Sequence, residues 1–147
     1  RELGFKLEEE EGMGYCFNYE GLNLLYMYNE NDEEFLNIAL PGIVDVEEDK
    51  MLQICALLEK INSTLKYIKA YMLGNSVWLF YERELFGEED LMTVISRMIL
   101  HLEAGLSFAR KAMTEIEETM TNDSSDDDTA ESAEEIDAEE ITDDDNE

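Results

Sequence analysis

The sequence predicts an α+β fold: an antiparallel sheet of about five strands flanked by helices, in the order β-β-β-α-β-β-α. Three observations carry this. Met13–Tyr19 and Leu22–Tyr28 place a large apolar residue at every second position, the strand period. Two later stretches, Met51–Leu65 and Leu91–Met113, repeat apolar residues at helical spacing. Strands also follow one another directly through short turns. That suits an antiparallel sheet covered by helices and not a doubly wound parallel one.

Arg1-Glu2-Leu3-Gly4 reads as the end of a helix that begins before Arg1, with Gly4 as its left-handed stop and Phe5 as the hydrophobic contact after it. Glu8–Glu11 is a charge run, expected as a solvated strand edge or a loop. Met13–Tyr19 and Leu22–Tyr28 then form a hairpin around Glu20-Gly21. A two-residue loop sets Phe17 against Leu24 and Tyr15 against Tyr26 on one apolar side. Asn18 with Asn23, and Cys16 with Leu25, fall on the other. Asn29–Glu33 is a polar turn, and Phe35–Leu40 is a third strand that Pro41-Gly42 is expected to stop.

Asp45 and Glu48 have the spacing of a capping box. The helix after them shows Met51, Ile54, Cys55, Leu58, Ile61 and Leu65 on one stripe. Tyr67–Leu73 and Ser76–Glu82 make a second hairpin around Gly74-Asn75. Its register sets Met72, Ala70 and Ile68 opposite Val77, Leu79 and Tyr81. Tyr71 opposes Trp78, and Lys69 opposes Phe80, on the other side. The last helix starts near Glu88, where Glu88, Glu89 and Asp90 suit the positive end of its dipole. Its stripe is Leu91, Ile95, Met98, Leu102, Leu106, Ala109 and Met113, fading near Met120.

The chain has 147 residues, with 38 acidic against 10 basic and a net charge of -28. Fourteen of the acids lie in Thr121–Glu147, which holds no Lys, Arg or aromatic residue. Residues 1–120 are therefore expected to form one domain and 121–147 a disordered acidic tail, with at most a transient helix around Ser132–Ile141. This charge argues against nucleic acid, whose phosphates need clustered Lys and Arg, and against anionic membranes. No apolar run reaches the ~20 residues of a bilayer span. Cys16 and Cys55 lie in apolar segments and read as buried free thiols in a reducing compartment, so a cytoplasmic location is expected.

Signs of catalysis are scarce. His101 is the sole histidine and stands beside Leu100 and Leu102, with no second ligand or base at fixed spacing. A packing or rim histidine is the simpler reading. No nucleophile elbow or glycine-rich phosphate loop is present. Asp126-Asp127-Asp128 lacks the glycine and the closing spacing of a calcium loop. No cofactor, metal or catalytic residue is expected.

The body, from about Leu3 to about Thr119, resembles the YbjN family of bacterial sensory-transduction regulators, whose fold is like that of type III secretion chaperones. The features that carry the resemblance are Leu3-Gly4-Phe5, the strand Phe35–Leu40 ending at Pro41, and Ile61-Asn62 late in the middle helix. Gly74, Tyr81-Glu82-Arg83-Glu84 and Phe108 complete them. The resemblance implies a small α+β domain without known catalytic residues. Chaperones of this fold are small acidic dimers that hold extended segments of partner proteins. The acidic tail is not a family feature.

These readings converge on a non-enzymatic protein-binding module, chaperone- or adaptor-like, with a protein or peptide partner and a possible homodimer. The candidate interface is the sheet side bearing Tyr71, Trp78 and Phe80, or a helix face including Ile99 and Phe108. The alternative is a regulatory subunit whose acidic tail engages a basic partner. A small-molecule enzyme would need a pocket with convergent polar groups.

Overall fold

The computed structural model describes the backbone of residues 6–126 and the side chains as far as Asn122. It is an antiparallel sheet with two helices, the α+β class expected. The strands are β1 (Glu8–Glu10), β2 (Gly14–Tyr19), β3 (Leu22–Met27), β4 (Phe35–Asp45), β5 (Ile68–Leu73) and β6 (Ser76–Glu84). A 3₁₀ turn at Glu48–Lys50 leads into helix α1 (Met51–Thr64), and α2 spans Leu91–Asp126. The sheet order is β1-β2-β3-β4-β6-β5. There are six strands rather than about five because the glutamate run pairs with β2 as an edge. Charge on that edge discourages pairing with another chain.

Both hairpins have the register that alternation and turn length impose. Phe17 pairs with Leu24 and Tyr15 with Tyr26. Met72 pairs with Val77, Ala70 with Leu79, and Tyr71 with Trp78. In the first turn Glu20 and Gly21 both take positive φ, 47° and 83°, as a type I′ turn requires. In the second, Gly74 supplies the positive φ of 63°.

Pro41-Gly42 does not stop the third strand. β4 continues to Asp45 and re-pairs with β6 at Val44–Val77 and Asp45–Ser76, after a register shift between Leu40 and Val44. The irregularity spares proline the ladder hydrogen bond it cannot donate, and Gly42, at φ 60°, turns the backbone there. Asp45 is thus the end of a strand and not a helix cap. The α1 N-cap position is Lys50, with no side-chain cap hydrogen bond.

The helices pack on one side of the sheet. Ile54, Leu57 and Ile61 of α1, with Val94, Met98, Ile99, Leu102, Leu106, Ala109 and Ala112 of α2, share a core with Phe17, Leu24, Leu36, Ile38, Val77 and Leu79. The inward stripe of α1 is rotated from the expected one: Leu57 is buried, while Met51 and Cys55 are exposed. Leu91 is half exposed as well. The sequence offered more apolar positions than one helix face can hold, and packing chose among them. Asn62 fastens α1 to the edge strand β5. Its Oδ1 accepts from the Ala70 amide at 2.8 Å, and its Nδ2 donates to the Ala70 carbonyl at 2.9 Å.

Asp90 caps α2: one carboxylate oxygen accepts from the Met92 amide and the other from the Thr93 hydroxyl. The helix runs past Met120 to Asp126, so the first residues of the expected tail are helical. Residues 127–147, the Ser132–Ile141 segment and the expected N-terminal helix end at Arg1–Gly4 lie outside the described residues. At 36 residues α2 is about 54 Å long. One 18-residue window within it has a mean hydropathy of 1.3 and meets the length and composition of a membrane span, against the expectation that no run would. Two rows of apolar residues account for this: the inward stripe, and an outward row that includes Met92 and Leu100.

Candidate functional site

Side chains alternate across a strand, so the residues turned from the helices follow from the register. One row crosses all six strands: Glu8, Cys16, Leu25, Ala39, Phe80 and Lys69 are successive partners. Leu25, Ala39 and Phe80 form a second, smaller buried cluster with Cys16, Met27 and Trp78 against it. Among the described residues, none from either helix belongs to that cluster. Tyr71 stacks on Phe80 with ring centroids 4.2 Å apart and planes 7° from parallel, and Trp78 lies 6.0 Å from Phe80. The Trp78 indole N–H donates to the Ser76 hydroxyl at 3.0 Å.

Leu25, Ala39 and Phe80 are all at most 2 % exposed, whereas Tyr71 is 41 % exposed and Trp78 is half-buried. Tyr71, Trp78 and Phe80 do share the outer face, with Tyr71 and Trp78 as its accessible part. The rim is acidic. Glu8 and Glu10 stand beside Cys16, while Glu82 pairs with Lys69 at 3.8 Å. Burial raises the Cys16 thiol pKa, and the charges of Glu10 and Glu8 raise it further. The thiol stays protonated and is a poor nucleophile. The Tyr71 phenol is raised by burial and then by Glu82.

The helix-face candidate needs correction. Ile99 is 2 % exposed and belongs to the main core, and Phe108 is half-buried against that core. The outward row of α2 at i, i+4 spacing is Met92, Ser96, Leu100, Ala104 and Phe108, where Leu100 is 55 % exposed. Ile99 lies one step round the helix, on the buried side.

A second feature escaped the sequence. His101 sits in a cleft of about 390 Å³ lined by Tyr67, Tyr81, Arg83, Thr93, Val94, Arg97 and itself. Thr93, Arg97 and His101 stand at i, i+4 and i+8 on one face of α2. Tyr81 and Arg83 come from β6. Tyr67 comes from the α1–β5 connection, where its backbone is left-handed at φ 67°. Its ring stacks on Tyr81 at 5.6 Å, and the His101 ring tilts against both at 5.6 and 5.8 Å. These residues span 35 positions of sequence, and only the fold gathers them.

Among the described residues no group of three or more His, Cys, Asp or Glu side chains is placed to hold a metal ion. No protein-family model matches the chain, and no curated protein matches it.

Proposed function

We propose that this chain is a non-enzymatic protein-binding module, chaperone- or adaptor-like, that docks an apolar peptide segment with basic flanks on the outer face of its sheet. The observation that carries this is the aromatic pair Tyr71, 41 % exposed, and half-buried Trp78 on the face turned from the helices, seated on the buried Leu25, Ala39 and Phe80. Such patches bordered by charge mark interfaces. The acidic rim selects the occupant. Glu8 and Glu82 pair with Lys6 and Lys69, and Glu10 leaves the rim a net negative charge, which favours lysine or arginine beside the apolar segment over a second copy with the same excess. The YbjN-like sequence pattern supports the same class of function.

Trp78 is the sole tryptophan and reports directly on this face. The test is fluorescence titration of the full chain with two synthetic peptides of one apolar core, one flanked by lysines and the other by glutamates. The lysine peptide is expected to blue-shift Trp78 emission saturably, and Tyr71→Ser to weaken it by about tenfold, the loss typical of an interface aromatic. Failure of both peptides to perturb Trp78 would overturn the reading. Concentration-dependent dimerisation abolished by Tyr71→Ser would give the face to a second copy. Binding lost on removing residues 127–147, with Trp78 unperturbed, would transfer the function to the acidic tail.

A further inference from the structure

The cleft around His101 has a character opposite to the rest of the chain. Against a net charge of -28 it gathers two arginines and the single histidine. Two acids at its edge, Glu89 and Asp90, are both engaged. Glu89 accepts from Arg83 at 3.2 Å and from the Phe86 and Gly87 amides at 2.7 and 3.0 Å. Asp90 is held by the Met92 amide and the Thr93 hydroxyl. Five of the described cations have a carboxylate within 4.0 Å: Lys6, Lys50, Lys60, Lys69 and Arg83. Arg97, like Lys66, Arg110 and Lys111, has none among the described residues, and of these four it alone lines the cleft. Its charge nevertheless reaches Tyr81, where Arg83 and Arg97 both act against the upward pull of burial on the phenol. A guanidinium is built to hold an oxyanion through paired N–H donors.

The wall opposite is aromatic. Tyr67 is 65 % exposed and sits in a left-handed backbone, φ 67°, that a residue with a Cβ rarely adopts. Strain of this kind persists where the surroundings over-determine a position, and it gathers at ligand sites. Here it brings the ring onto Tyr81 and beside His101.

We propose that this cleft binds a small organic oxyanion, a phosphate or carboxylate carried on a planar group, with Arg97 and His101 on the anion and Tyr67 against the ring. This site is separate from the peptide face, which lies on the other side of the sheet. The acidic chain repels anions at long range, but that field is screened beyond about 8 Å in physiological salt. The contacts within the cleft therefore decide the affinity.

His101 is the only histidine, so its ring signals report on the cleft alone. The full chain, in a buffer without phosphate, is titrated by nuclear magnetic resonance with phenyl phosphate and with benzoate, against sodium chloride at matched ionic strength. At least one of the two is expected to move the His101 signals saturably, and whichever binds tighter names the oxyanion. Arg97→Gln is expected to weaken binding by about fivefold or more, as loss of one charge-assisted contact does. Arg110→Gln, far along the same helix, leaves it unchanged. Tyr67→Gly removes the ring but suits the left-handed backbone, and is expected to weaken binding without unfolding the chain. Shifts linear in both ligands and equal to those of chloride would overturn the proposal. So would an Arg97→Gln variant that binds as the parent does.

Discussion

Neighbouring positions with the same chemistry differ here by what lies above them. Met72 and Leu79 both belong to the helix side of the second hairpin, and alternation treats them alike. Leu79 is fully buried beneath the helices, whereas Met72 is 40 % exposed near the turn of an edge strand, beyond their reach. Leu79→Ala is therefore expected to lower unfolding stability by about 2–5 kcal/mol, because a central cavity cannot collapse. Met72→Ala is expected to cost less than about 1 kcal/mol, as surface changes do. Urea unfolding of the two variants checks this, and equal losses would show that the sheet end is covered after all. Ile99 and Cys55 teach the same lesson. Each sits one step round a helix from a residue of opposite exposure, and a single sequence with apolar residues on both sides does not fix the helix rotation.

The two hairpins were legible down to the pairing of individual residues, because a two-residue turn leaves one register in which apolar side chains share a face. β4 was not, since Pro41-Gly42 carries the same composition whether it ends a strand or sits in an irregularity within one. The cleft was invisible for another reason. Tyr67, Arg83 and His101 have no common spacing, and only the packing of α2 and the α1–β5 connection beside β6 joins them. The loop that leads into α2 was also hidden, although its chemistry is testable. Glu89 is held below the ordinary glutamate pKa of 4.5, chiefly by the Phe86 amide, with the Gly87 amide and the Arg83 charge adding and burial opposing. A depressed folded-state pKa contributes stability above the ordinary value, and that contribution is lost as pH falls through the depressed one. The stability difference between the parent and Glu89→Gln is thus expected to be constant above about pH 6 and to shrink below about pH 4.5, converging in acid. Urea midpoints of both proteins across that range provide the check. A difference that stays level into acid would mean that the Glu89 charge does not hold the loop.

At the scale of the whole molecule two electrostatic effects oppose one another, and salt separates them. The five ion pairs among the described residues are mostly well exposed, and pairs of that kind contribute roughly 0–1 kcal/mol each. Salt weakens these and so tends to destabilise. Against them stands a net charge of -28, whose self-repulsion is relieved on unfolding. Residues 1–120 alone hold 24 acids and 10 bases, so the excess is not confined to the tail. Raising ionic strength from about 0.01 M to 0.15 M shortens the Debye length from about 30 Å to 8 Å. That change barely touches a contact at 3–4 Å but removes most repulsion between charges on opposite sides of a domain. Repulsion is the longer-ranged effect and involves many more pairs, so it governs the sign. The urea midpoint is therefore expected to rise with sodium chloride over this range while the slope with denaturant stays constant, since no new surface is exposed. A midpoint that falls instead would show that the few ion pairs outweigh the net charge. Of those five, Arg83–Glu89, whose side chains are only 31 % and 16 % exposed, would be the first to remove.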